Sequence, residues 1–184
     1  MEGHYSVAII PSEEVIALVK TMKQDLAAKV GWFNSKNSMG HITINEFKAS
    51  DAVIEKVKQQ LIRLCDGFEP VEVHFTGFGS YPNGAFFIDP DEDTKNRLKP
   101  IMKRINDTLV IKDLHISNDP HMSIARRLSR EKLGIAKSYF TSINESFLCS
   151  SVVLRTFDEN IKQYYVSDVF PFHSNPTEVQ GTLF

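Results

Sequence analysis

The sequence predicts an α+β fold of two pseudo-symmetric lobes, each a mostly antiparallel sheet with helices on its outer face, with an active-site groove between the sheets. Three observations lead there. Stretches whose apolar residues alternate every second position are interleaved with stretches where they recur every third or fourth, the periods of strands and helices. Strand, helix, strand in the first half is followed by strands, helix, strand in the second. Two stretches of one pattern, His41-Ile42-Thr43-Ile44 and His121-Met122-Ser123-Ile124, lie 80 positions apart.

In chain order, Tyr5-Ser6-Val7-Ala8-Ile9-Ile10 reads as a strand. Pro11-Ser12-Glu13-Glu14 then supplies a cap and a first turn of acidic residues, which complement the helix N-terminus. Val15, Val19, Met22 and Leu26 form the buried stripe of that helix, which should end before Gly31. Trp32 and Phe33 suggest a short strand before a polar loop that runs to Gly40. Ser50-Asp51 opens a second helix carrying Val53, Val57, Leu61 and Leu64, with Gly67 near its end.

The run Val71 to Phe75 alternates as a strand, Tyr81-Pro82-Asn83-Gly84 is a turn, and Ala85 to Ile88 returns as the hairpin partner. Residues 91–107 read as a third helix interrupted by Pro100. Proline lacks the backbone donor and clashes with the preceding turn, so a kink or two short pieces is expected. Ser129 caps a helix with Leu133, Ala136, Phe140 and Ile143, and two strands follow at 147–156 and 163–170. The expected organisation is one bilobal domain over 1–172 and a loose tail over 173–184.

Composition narrows the function classes. The chain has 184 residues, 42% of them hydrophobic and 24% charged, as in soluble globular proteins. No apolar run is long enough to cross a bilayer, and from the strand-like opening no signal peptide is expected. Two cysteines, Cys65 and Cys149, are too few for a disulfide framework or a zinc site. A cytoplasmic setting is expected. The net charge of −2, with no block of lysine or arginine, argues against gripping a long polyanion and for a small anionic ligand or the end of a strand.

The paired stretches carry the chemistry. Strand alternation puts His41 and Thr43 on one face and Ile42 and Ile44 on the other, and treats His121 and Ser123 in the same way. Each strand then anchors on its apolar side and offers an imidazole and a hydroxyl on its free side. The other histidines lack this context: His115-Ile116-Ser117 runs straight into the turn Asn118-Asp119-Pro120, His74 sits in an alternating strand, and His4 and His173 lie near the ends.

With Pro120 before and Ala125-Arg126 after the second stretch, the chain resembles the two-histidine (2H) phosphoesterases, the LigT-like 2′-5′ RNA ligases and RNA 2′,3′-cyclic phosphodiesterases. Their signature is two copies of His-x-Thr/Ser-hydrophobic, one per lobe. The stretch Asn34 to Gly40 departs from the family, being longer and more polar than in many members, which bears on substrate choice rather than chemistry. The resemblance implies a phosphoesterase without metal or cofactor that opens 2′,3′-cyclic phosphates, or makes and cleaves 2′-5′ linkages, with His41, Thr43, His121 and Ser123 as catalytic residues. Its partner would be an RNA end or small nucleotide, and the protein a monomer.

For substrate contacts, alternation continues the His41 face to Asn45 and Phe47. Lys36 in the polar loop is a candidate for a phosphate tail, and Tyr81, Phe86 and Trp32 for stacking on a base. Strict alternation puts Ala125, not Arg126, on the His121 face, so Arg126 reaches a phosphate only where the strand twists or ends. Two other readings stand beside this one. One is a non-catalytic nucleotide- or RNA-binding module, which would be marked by a missing histidine or hydroxyl. The other is a metal hydrolase using both histidines and a carboxylate such as Asp119, although neither histidine belongs to a ligand cluster such as HExxH.

Overall fold

A computed structural model describes residues 2–176. The strands are β1 (Glu2–Ile9), β2 (Ile42–Ser50), β3 (Val71–Ser80), β4 (Phe86–Pro90), β5 (His115–Ile116), β6 (Met122–Ala125), β7 (Glu145–Cys149), β8 (Ser151–Asp158) and β9 (Gln163–Pro171). The helices are α1 (Glu13–Val30), α2 (Asp51–Gly67), α3 (Glu92–Thr108) and α4 (Arg130–Tyr139). The fold is α+β with pseudo-symmetric halves, and every strand pair is antiparallel.

The helices begin where the sequence provides caps. Ser12 Oγ accepts from Val15 N, Asp91 Oδ1 from Thr94 N, and Ser129 Oγ from Lys132 N, each satisfying a donor that has no partner within its helix. Val19, Leu26, Leu61, Leu98 and Ile105 from the helices are buried with Val7, Ile9, Ile42, Val73, Phe75, Ile88 and Met122 from the sheet in one core. α3 runs uninterrupted through Pro100 instead of breaking in two. Pro100 and Asn96, whose carbonyl loses its donor, both lie on the exposed face where water can take over.

The two halves do not form separate sheets. The strands join as β7-β3-β4-β6-β2-β1-β8-β9, with β5 also on β2, and β2–β6 is the seam. The two histidine strands therefore lie side by side rather than facing one another. The stretch expected as one strand at 147–156 is split at Ser150, and its pieces pair on opposite flanks, β7 with β3 and β8 with β1. One intervening residue spans at most ~7 Å, so the sheet must curl until its flanks meet. That curl makes the face opposite the helices concave.

Both histidine strands carry a bulge at the same place. Val7 pairs with Asn45 and Ala8 with Thr43, leaving Ile44 as the extra residue. Phe86 pairs with Ala125 and Phe87 with Ser123, leaving Ile124 extra. A one-residue insertion reverses the alternation beyond it. Residues 45 and 125 therefore turn toward the helices, and Glu46 and Arg126 return to the histidine side.

Trp32 and Phe33 form no strand; instead Asn34 makes an isolated bridge to Arg126. The start of the expected tail is tied down, with the backbone N–H groups of His173, Ser174 and Asn175 donating to the carbonyls of Cys65, Phe68 and Asp66. The rest of it, 177–184, lies outside the described residues. No helix among the described residues is long and apolar enough to cross a membrane.

Candidate active site

The seam fixes the site. Ile42 and Met122 are register partners across β2 and β6. In an antiparallel pair this sets His41 beside Ser123 and Thr43 beside His121, all four on the concave face. Directly opposed residues have Cβ atoms about 4.5–5.5 Å apart. Two imidazoles and two hydroxyls thus occupy the corners of one small rectangle, with each histidine diagonal to the other.

The two rings are held alike. His41 Nδ1 lies 2.7 Å from the Met39 carbonyl and His121 Nδ1 2.8 Å from the Asp119 carbonyl, each two residues upstream. A carbonyl only accepts, so each Nδ1 carries the proton. Nε2 is then the nitrogen free to gain or lose one.

Their surroundings differ. His41 is nearly buried; burial and the charges of Arg155, Arg126 and Lys23 hold its pKa well below the ordinary 6.5, despite the opposing bond to Met39. His121 is half-buried against an aromatic wall, 4.6 Å between ring centroids from Phe87 and 5.7 Å, edge-on, from Tyr81. Tyr81 Oη donates to Asp119 Oδ2 at 2.6 Å. Burial and that contact push the phenol up to about 12, so it stays a neutral donor.

A cavity of about 490 Å³ opens here, lined by Tyr81, Asn83, Ala85, His121, Ser123, Arg126 and Arg127. His41 lies outside this lining, beside Ser123, which belongs to it. The structure therefore brings Tyr81 and Arg126 to the histidine pair. Arg126 arrives because the bulge at Ile124 shifts the alternation, which a strict two-residue period does not anticipate.

Asn45 and Phe47 do not line the groove. Asn45 is buried, accepting from Val7 N at 3.3 Å and donating to Asn106 Oδ1 at 2.7 Å. Phe47 is buried and stacked on Tyr5. The bulge at Ile44 turned both inward. Phe86 is core and Trp32 is exposed away from the cavity lining. Lys36 lines a separate cavity of about 370 Å³ on the α1 side of its loop.

Four residues that pattern reading passed over matter here. Phe87 forms part of the wall beside His121. Lys23 is buried within α1, its Nζ donating to the Ser35 and Ser38 carbonyls at 2.8 Å each and to Ser38 Oγ at 3.1 Å. It shapes the loop whose Met39 carbonyl orients His41. Glu46 and Arg155 lie on the concave face, where Ser6 of β1 is the register partner of both. The signal available was a charge inside an apolar stripe: Lys23 between Met22 and Leu26, and Arg155 after Val152-Val153-Leu154.

The comparisons with known proteins agree with this fold. The 2′-5′ RNA ligase superfamily profile matches residues 10–160. Comparison with curated protein sequences gives no match. TT0787 of Thermus thermophilus superposes with a TM-score of 0.70 at 16% identity, over 94% of this chain and 100% of that one. LigT of E. coli complexed with 3′-AMP gives 0.68 at 11% identity, over 94% and 99%. Usb1 of Kluyveromyces marxianus gives 0.56 at 14% identity, over 93% and 97%. The chain belongs to the 2′-5′ RNA ligase superfamily and, with it, to the 2H phosphoesterases.

Proposed function

We propose that the protein is a metal-independent phosphoesterase that opens 2′,3′-cyclic phosphates on RNA ends or small nucleotides, using His41 and His121 as an acid–base pair and Thr43 and Ser123 as donors to the non-bridging oxygens. The observation that carries this reading is the Ile42–Met122 register, which gathers the four side chains on one face. Water attacks phosphorus in line with one ribose oxygen. One imidazole takes the proton from the water through Nε2, the P–O bond to that ribose oxygen breaks, and the other imidazole gives the departing oxygen its proton. The hydroxyls stabilise the charge that builds on the non-bridging oxygens. The product is a phosphomonoester beside a free hydroxyl. When the 5′-hydroxyl of a second nucleotide attacks in place of water and the 3′ oxygen leaves with the proton, the same displacement makes a 2′-5′ linkage.

A relative crystallised with 3′-AMP supports a nucleotide with phosphate on the ribose as the ligand class. The hydrolase reading based on a metal at Asp119 is less well supported. The Asp119 carboxylate is engaged by Tyr81, and no cluster of three His, Cys, Asp or Glu side chains occurs among the described residues. All four groups come from one chain, so a monomer suffices. The test is hydrolysis of the four nucleoside 2′,3′-cyclic phosphates with and without chelator. Turnover unaffected by chelation is expected; activity lost to chelator and restored by metal would overturn the mechanism.

A further inference from the structure

Arg155 is a buried guanidinium, 4% exposed, on the concave face two strands from His41. Its Nη2 donates to Ser6 Oγ at 2.7 Å, and its charge sits 4.9 Å from the centre of the Tyr164 ring. Nε is buried with no hydrogen-bond partner, and no carboxylate lies within ion-pair distance among the described residues. Burying a cation this way is costly, because the water it gave up has not been replaced by an anion. Glu46 lies on the far side of Ser6 in register, without ion-pair contact to Arg155. Arg126 adds a second guanidinium to the same concave face, at the end of β6 on the other side of β2. Two guanidinium groups on one concave face, neither in an ion pair among the described residues, suit a ligand that supplies the counter-charge.

The register gives the position. Ala8 lies beside Thr43, and Ser6 is two residues along the same strand. With strands about 4.8 Å apart and a rise of about 3.4 Å per residue, Ser6 stands roughly 8 Å from Thr43. The guanidinium held over Ser6 is therefore displaced from the reacting centre by a distance that a single nucleotide step covers.

We propose that Arg155 forms a second phosphate subsite, which holds the 5′-phosphate of the nucleotide whose 2′,3′-cyclic phosphate reacts. This rests on the phosphoesterase reading and extends it to a substrate class: nucleotides with two phosphates, or the 3′ ends of RNA chains, ahead of simple nucleoside cyclic phosphates.

The experiment compares adenosine 2′,3′-cyclic phosphate, its 5′-phosphorylated form and the dinucleotide ApA ending in a cyclic phosphate, in wild type, Arg155→Met and Arg155→Lys. Wild type should favour both two-phosphate substrates in kcat/KM by roughly ten- to a hundredfold, as one charge-assisted hydrogen bond provides. A gain confined to the dinucleotide assigns the subsite to the chain diester, and one confined to the 5′-phosphate assigns it to the terminal monoester. Arg155→Met should collapse the preference and Arg155→Lys should restore part of it, with thermal melts confirming that both fold. A preference that survives in Arg155→Met overturns the proposal. So does an equal loss on all three substrates, which would place Arg155 on the reacting phosphate or in the scaffold. Calorimetric binding of adenosine 3′,5′-bisphosphate against 3′-AMP reads the subsite without turnover. If cyclic phosphates are not cleaved but the bisphosphate binds more tightly in an Arg155-dependent way, the reaction assignment fails and the subsite stands.

Discussion

Ile44 and Ile124 are the extra residues of matching bulges, and the carbonyl of each is taken by the loop that leads into the other motif. Ser117 N donates to Ile44 O at 3.0 Å, and Ser35 Oγ donates to Ile124 O at 3.2 Å. The two halves of the site are thus tied crosswise as well as along the β2–β6 seam. Ser35→Ala removes one tie without changing the positive φ that residue 35 already adopts. Loss of about 0.5–1.5 kcal/mol in urea unfolding is expected, with a fall in kcat larger than any change in KM.

Lys23 should matter more. Lys23→Met keeps the apolar stem but leaves two inward-facing carbonyls without their shared donor, costing roughly 1–3 kcal/mol. Burial first, and then Arg126, bring its pKa down to about 8 from 10.5. Between those values the unfolded chain binds more protons than the folded one, so stability rises with pH across that window. Denaturant midpoints from pH 8 to 10.5 should show this slope in wild type and a smaller one in Lys23→Met.

His41 has the same sign at lower pH. Its folded pKa lies well below the ordinary 6.5, so below pH 6.5 protons bind the unfolded chain first. Its contribution is fully present above 6.5 and is lost as pH falls toward the folded value. His41→Gln should flatten the decline in urea stability as pH falls below 6.5, compared with wild type.

Gly84 locks the Tyr81 turn against the segment that carries Arg126. Its φ is +87°, and a Cβ there would meet Leu128 O at 2.3 Å and Leu128 N at 2.6 Å, both backbone atoms. Leu128 N also donates to Gly84 O at 3.0 Å. Gly84→Ala should therefore cost about 1–3 kcal/mol from φ strain alone and displace Arg126, raising KM for any phosphorylated ligand. Calorimetric melting and steady-state kinetics check both effects.

Local periodicity made much of this architecture legible. The helices follow from stripes such as Val15–Val19–Met22–Leu26, and the pairing of His41 with Thr43 and of His121 with Ser123 follows from alternation. The bulges were not legible, because Ile44 and Ile124 look like any strand residue and become extra only against β1 and β4. That is why alternation alone turns Asn45 and Phe47 to the groove, where Glu46 and Arg126 lie instead. The split at Ser150 is hidden for a similar reason: both flanks are apolar strand sequence, and only sheet curl sends them to opposite flanks. Lys23 and Arg155 were visible as charges within apolar stripes, but their partners are brought together by the fold.

The central claim is that His41 and His121 serve one phosphorus atom, and a double-mutant cycle tests it most directly. Values of kcat/KM on a nucleoside 2′,3′-cyclic phosphate would be measured for His41→Ala, His121→Ala and the double variant, with melting curves confirming folding. Each single change should cost roughly 10²–10⁴-fold, and the double should cost little more than the worse single, because groups acting as a unit are not additive. Near-normal turnover in either single variant, or losses that simply multiply, would contradict a shared site.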